Sequence, residues 1–149
     1  RDNVSILFYY CDLIAKKGFK KICIFGLSTK SVFKDIRLSP AVIISEYLDK
    51  LGCQVQIYDP FFSKTEVADI MPFAEFINID GGGLNAEVIL VLKKTSLYKT
   101  FSQEYLDSKG ITNAKIVLDD TGMFSSYQYG KDTLYHVPGD GKLIDLIEL

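Results

Sequence analysis

The chain has little of what metal or thiol chemistry needs. Its single histidine, His136, has no second histidine, cysteine or nucleophilic serine motif beside it, and it reads as a strand-end residue satisfied by its surroundings. Three cysteines, Cys11, Cys23 and Cys53, are widely spaced without a C-x-x-C pair, which fits a reducing compartment better than a disulfide framework. None has a neighbouring cation or base in the sequence to activate it, so no catalytic nucleophile is visible. No apolar run approaches the ~20 residues that cross a bilayer, and the amino end shows no secretory pattern. The expectation is a cytoplasmic protein without a membrane partner. A net charge of −2 provides no general basic surface, which argues against a nucleic-acid partner bound through many phosphates. Any cationic site is local. Internal repeats, low-complexity tracts and long linkers are also lacking.

What is there suits one domain: 149 residues, 48% of them apolar, with 4 prolines. The chain starts at Arg1 in what already reads as helix, so a fragment of a longer polypeptide is expected. Asn3 caps a helix that runs to about Lys17 and closes at Gly18. Its apolar residues cover more than the ~100° stripe a surface helix needs. A second partner is therefore expected, either one further surface beside its own domain or an oligomer or interdomain contact, with a patch centred on some of Val4, Leu7, Phe8 and Cys11 exposed in an isolated fragment. Beyond it, strand patterns at 22–25, 55–58, 88–92, 116–118 and 133–137 alternate with helical patterns at 40–51, 65–71, 97–106 and 143–149. Residues 73–80 carry no clear pattern, and the glycines at 81–83 read as a turn rather than a phosphate loop. Unbroken apolar strands between helices predict an α/β fold: a doubly wound, mainly parallel sheet with helices on both faces.

In such sheets ligands gather beyond the carboxyl ends of the strands. The first strand ends at Gly26, and the loop after it carries Lys30 and Arg37 before a helix opens at Ser39-Pro40. Lysine brings a point charge to a diphosphate and arginine a planar fork, while a helix start offers unpaired N–H groups. Ser39 with Pro40 reads as a helix cap on backbone grounds alone. The other strand ends nominate Asp59, Lys93, Lys94, Asp119 and Asp120. Asp59 invites comparison with a ribose-binding acid. The first turn lacks G-x-G-x-x-G, however, and Asp59 stands well beyond the ~20-residue spacing of that fingerprint, which argues against an intact NAD site in this chain. Asp59 can equally order its own turn before Pro60.

Gly26, Leu27, Lys30, Asp35, Arg37, Ser39, Pro40, Tyr58, Asp59 and Pro60 also fall in register with a known pattern: G-L-x-F-K, a polar loop, D-x-R-x-S-P, a helix, and a strand ending Y-D-P. The chain thereby resembles the C-terminal, nucleotide-sugar-binding domain of the UDP-glucose/GDP-mannose dehydrogenase family, which implies a Rossmann-like fold. The resemblance implies that residues 1–18 end a helix from the central dimerisation region and that 19–149 form the binding domain. It implies substrate contacts at Thr29, Lys30, Asp35 and Arg37, with Arg37 also near the cofactor's phosphates; Asp59, Lys93 and Asp119 are secondary positions that come from the strand ends. The partners implied are a nucleotide-diphosphate sugar, the NAD-binding and central domains of a parent chain, and further copies in a homo-oligomer. NAD would belong to the full-length enzyme, with none bound tightly here and no catalytic residue in this chain. The chain departs from the pattern at Thr29 and across 31–34. It has Lys93-Lys94 where relatives carry an acidic-aromatic pair, and Thr121 and its neighbours provide no arginine after Asp119. Two alternatives stand beside this reading. Arg37 pairs with Asp35 or Asp59 while Lys30 is solvated, or the chain is a stand-alone Rossmann-like binding or assembly module.

Overall fold

The computed structural model describes residues 3–27, 39–82 and 84–138, with side chains from Ser5 onward. A helix, α1 (Asn3–Lys17), precedes strand β1 (Lys21–Phe25); α2 (Pro40–Lys50), β2 (Gln54–Tyr58), α3 (Lys64–Ile70) and a two-residue β3 (Glu75–Phe76) follow. The second half contains β4 (Val88–Val91), α4 (Gln103–Ser108), β5 (Ile116–Asp119) and β6 (Leu134–His136), with short 3₁₀ turns at Ile79–Gly81, Ser96–Thr100 and Ile111–Asn113. All the strand pairs are parallel, and the strand order is β3-β2-β1-β4-β5-β6. The chain builds outward from β1 to β3 and then returns to lay β4 on the other side of β1. The switch in strand order therefore lies between β1 and β4, the place where ligands gather in such sheets.

Strand periodicity sorts the core into two layers. Ile22, Ile24, Val55, Ile57, Val88, Leu90, Ile116 and Leu118 face one cluster, which α1, α2 and α3 cover. Cys23, Phe25, Tyr58, Ile89, Val91 and Val117 face the other, beneath the 3₁₀ turns and α4. With side chains alternating across the pleat, both sets are buried, which is why β1, β4 and β5 read as near-continuous apolar runs; β2 is interrupted by Gln56, which is buried and bonds Glu75.

Helix α2 begins as its sequence dictates: the Ser39 side chain accepts from the Val42 amide at 3.3 Å, with Pro40 in the first turn. The expected segment 97–106 is instead two pieces. Thr95 accepts from Leu97 N and starts a 3₁₀ turn; Phe101 turns extended, and Ser102 accepts from Tyr105 N to start α4 anew. Local hydroxyl caps compete with a continuous helix here, and Phe101 turns in against Tyr98 and Tyr105. The patternless 73–80 segment supplies the edge strand β3 and the first 3₁₀ turn.

Of the patch expected on α1, Leu7 and Cys11 are buried rather than exposed and Phe8 is half-buried. Leu7 and Cys11 are 2% and 1% exposed and pack with Tyr10 and Ile14 into the α-helical layer, while Phe8 meets the Tyr47 ring edge-on at 4.7 Å. The wide apolar stripe is satisfied by α2 on one side and the sheet on the other, leaving Tyr9 as the exposed aromatic of this helix. The Val4 side chain and the helix expected at 143–149 lie outside the described residues.

Candidate functional site

The carboxyl edge of the sheet is a row of chain exits. Beyond β1, Gly26 takes φ +97° and donates its N–H to Tyr58 O at 2.9 Å. The Leu27 amide then donates to Asp59 Oδ2 at 2.8 Å, while Asp59 Oδ1 accepts from Phe61 N at 2.8 Å. Asp59, 3% exposed, thus orders its own turn and ties the loop after β1 to the loop after β2. On the other side of the switch, Leu92 N donates to Phe25 O at 3.0 Å, and Asp120 N donates to Val91 O at 2.8 Å. The exits of β2, β1, β4 and β5 stand side by side.

Gly26 is a packing requirement as well as a turn. A Cβ there would fall 2.5 Å from Lys93 Cβ and 3.0 Å from Lys93 N. Only glycine fits at this φ and this separation. The close approach sets Lys93, half-buried, at the switch point itself, with Lys94 exposed next to it. Lys93 forms no ion pair with a described residue.

Asp119 is committed to its own loop. Its carboxylate accepts from the amides of Thr121, Gly122 and Phe124 and from the hydroxyls of Thr121 and Tyr135, between 2.6 and 3.0 Å. It is fully buried, and this set of donors explains a carboxylate at the end of a core strand without a ligand. Below the edge, Tyr98 packs among Phe25, Phe101 and Phe124.

The thiols and the histidine stand away from any such edge chemistry. Cys11, Cys23 and Cys53 are buried and free, and burial pushes each thiol up, which disfavours the thiolate. His136 Nε2 lies 3.1 Å from the Tyr10 hydroxyl, joining β6 to α1. Among the described residues no helix is long and apolar enough to cross a membrane.

Of the site residues expected from the sequence, the structure brings Asp59 and Lys93 to the two sides of Gly26 and places Asp119 two strands from it. Thr29, Lys30, Asp35 and Arg37 lie outside the described residues. Sequence reasoning missed a cavity of about 350 Å³ beside the edge, lined by Tyr58, Asp80, Phe101, Ser102 and Tyr105 among others. Its sequence signal is the aromatic series Tyr98, Phe101, Tyr105, spaced so that each ring meets the next. A hollow of about 600 Å³ at the opposite, amino edge is lined by Phe19, Lys115, Lys131 and Leu134.

Comparison with known proteins agrees with this geometry. Residues 23–126, more than half of the chain, match the model of the UDP binding domain of the UDP-glucose/GDP-mannose dehydrogenase family. A UDP-N-acetyl-D-mannosamine dehydrogenase of Methanocaldococcus jannaschii is 31% identical over 134 residues, covering 87% of this chain and 29% of that protein. One of Methanococcus vannielii is 26% identical over 125 residues, covering 78% of this chain and 27% of the relative. The chain thus spans less than a third of these relatives' length. In fold it is similar to a UDP-glucose dehydrogenase from Pyrobaculum islandicum, with TM-score 0.57 and 16% identity over 91% of this chain and 29% of that one. It is also similar to the shikimate dehydrogenase of Aquifex aeolicus, with TM-score 0.54 and 18% identity over 91% of this chain and 50% of that one. The sheet order, the Gly26 turn and the family match together place the chain in the UDP-glucose/GDP-mannose dehydrogenase family, as its UDP-binding domain.

Proposed function

We propose that this chain is the nucleotide-sugar-binding domain of an NAD-dependent 6-dehydrogenase, which oxidises a sugar primary alcohol to a carboxylate. Residues 19–149 bind, and residues 1–18 link to a central region of a parent chain that supplies the NAD site and the catalytic cysteine. The chain binds and positions substrate; it does not catalyse alone. The observation that carries the reading is the switch point, where Gly26 admits the half-buried Lys93 against the β1 exit. A cation there, without a carboxylate partner among the described residues, is suited to a diphosphate.

In this reading Lys30 and Arg37 are the main phosphate contacts, with Thr29 and Asp35 beside them, and Arg37 also faces the cofactor's phosphates. Lys93 stands in for the cation relatives carry after Asp119. Asp59 and Asp119 act by fixing the loops rather than by touching the ligand. The two methanogen relatives named above are UDP-N-acetyl-D-mannosamine dehydrogenases, so a UDP-sugar is the substrate class, and the working enzyme is a cytoplasmic homo-oligomer.

The test is thermal denaturation with ligands. UDP should raise the melting temperature in a concentration-dependent way and uridine much less, because a ligand selective for the folded state stabilises by mass action. Lys30→Ala, Arg37→Ala and Lys93→Ala should each weaken UDP binding about tenfold or more, the scale of one charge-assisted hydrogen bond. No shift with any nucleoside diphosphate at millimolar concentration, in this chain and in the parent enzyme, would leave the stand-alone binding or assembly module as the reading.

A further inference from the structure

The cavity between the end of β2 and α4 has a chemistry that a diphosphate does not match. Its walls are aromatic: Tyr58 from β2, Phe101 from the break before α4, and Tyr105 from α4 itself, with Phe101 and Tyr105 in ring contact at 4.7 Å. Its one charge is negative. Asp80, on the 3₁₀ turn Ile79–Gly81, holds the Tyr105 hydroxyl at 2.5 Å, which fixes the carboxylate at the rim with its other oxygen available. Ser102 adds a hydroxyl.

One group in this cavity lacks its complement. Tyr58 is 8% exposed, yet its hydroxyl makes no hydrogen bond to any described residue. The Tyr58 oxygen is not among the sealed, unpartnered polar atoms, so it is reached from the cavity and can meet a ligand's polar atom. The field around it is anionic: burial first, then the charge of Asp80, pushes the Tyr58 phenol up to about 12. One carboxylate is too few oxygens for a calcium or magnesium ion. A carboxylate at the rim of an aromatic box is the arrangement that holds an organic cation, whose charge meets the acid while its flat or alkyl body lies on the rings. The ring of Tyr105 already attracts one ammonium, that of Lys109 at 5.5 Å.

We propose that the cavity formed by Tyr58, Asp80, Phe101, Ser102 and Tyr105 binds an organic cation, a guanidinium or alkylammonium group. Such a group comes either on a free small amine or on an arginine or lysine side chain of a docking protein segment. The inference is independent of the nucleotide reading: the cavity lies on the second face of the sheet, and its guest has the opposite charge.

The test is a titration of the full chain by NMR, following the amide and ring signals of Tyr58, Ser102 and Tyr105, at ionic strength held constant with sodium chloride. Agmatine serves as the free amine and an acetylated, amidated Gly-Arg-Gly peptide as the side chain. Saturable shifts confined to the cavity are expected for at least one probe, and the tighter probe identifies the source. Asp80→Asn keeps an oxygen for Tyr105 and removes only the charge, and it should weaken binding about tenfold or more. Tyr105→Phe keeps the charge and should change affinity less than about threefold. UDP measured on the same samples should bind Asp80→Asn as it binds the unaltered chain. Shifts that sodium chloride alone reproduces, or equal affinity in Asp80→Asn, would overturn the proposal and leave the nucleotide reading untouched.

Discussion

At the scale of single residues, the polar groups of the second layer differ in whether they are satisfied. The Tyr98 hydroxyl is sealed from solvent with no hydrogen-bond partner, while its ring packs fully among Phe25, Phe101 and Phe124. A buried donor left unmade costs roughly 1–3 kcal/mol, so removing the hydroxyl while keeping the ring is favourable. Tyr98→Phe should raise stability by about 1 kcal/mol, read as a higher urea midpoint at unchanged slope. Asp119 predicts the opposite sign. Asparagine there would turn an NH₂ toward donors that now meet a carboxylate, and Asp119→Asn should lower stability by about 2–4 kcal/mol in the same assay. A midpoint within error of the unaltered chain would mean that the loop after β5 does not depend on that carboxylate. The sequence marks Asp119 as an acid at a strand end, and ligand contact is the natural reading; the donors that occupy it are the amides and hydroxyl of the loop two to five positions on, joined by the Tyr135 hydroxyl, 16 positions away, which becomes a neighbour only when β6 pairs with β5.

At the scale of elements, local chemistry decides what a reader of the sequence can see. The helix at 40–51 is legible because Ser39-Pro40 opens it and Gly52 closes it, and β1, β4 and β5 are legible because burial on both faces makes them near-continuous apolar runs, while β2 is read from Val55, Ile57 and Tyr58 despite its two glutamines. Edge strand β3 is not, since two residues pairing with β2 alone carry no periodicity. The broken helix at 97–106 fails for a related reason: its helical spacing reflects rings meeting in three dimensions rather than one continuous helix. The Gly26 turn was visible as a glycine ending a strand, but its contact with Lys93 depends on β4 returning beside β1. That contact can be tested against an internal control. Gly52 also has positive φ, at +89°, with nothing within 4 Å of an added Cβ, so Gly52→Ala should cost only the left-handed penalty of about 1–2 kcal/mol. Gly26→Ala adds overlap with Lys93 and should cost about 1–3 kcal/mol more. Equal losses in the two variants would mean that β1 and β4 can part at their carboxyl ends without strain.

At the scale of the whole molecule, the two layers are chemically unlike. The helical layer is mainly aliphatic, whereas the second collects Tyr58, Tyr98, Tyr127, Tyr129 and Tyr135 around Phe25 and Phe124. Long helices cover the first face; on the second, short turns are held by side chains, with Tyr127 donating to Phe101 O and Tyr129 to Phe124 O, each at 2.6 Å. Burial raises the phenols of Tyr58, Tyr98, Tyr129 and Tyr135, with nearby carboxylates adding to the effect. A folded pKa above the unfolded value means that the native state holds its proton more tightly. The associated stability is complete below the unfolded pKa of about 10 and is lost as pH rises toward the folded value, about 12 for Tyr58. Each such phenol contributes a slope of up to about −1.4 kcal/mol per pH unit in that window, and several act together. The chain should therefore hold its fold to about pH 10 and then unfold steeply. A pH titration followed by near-ultraviolet tyrosinate absorbance and far-ultraviolet circular dichroism checks this. The buried fraction of the phenols should ionise only as ellipticity collapses, in one transition. Should all nine tyrosines ionise gradually near pH 10 while ellipticity is retained, the second layer would be open to solvent and its turns would be held by something other than this packing.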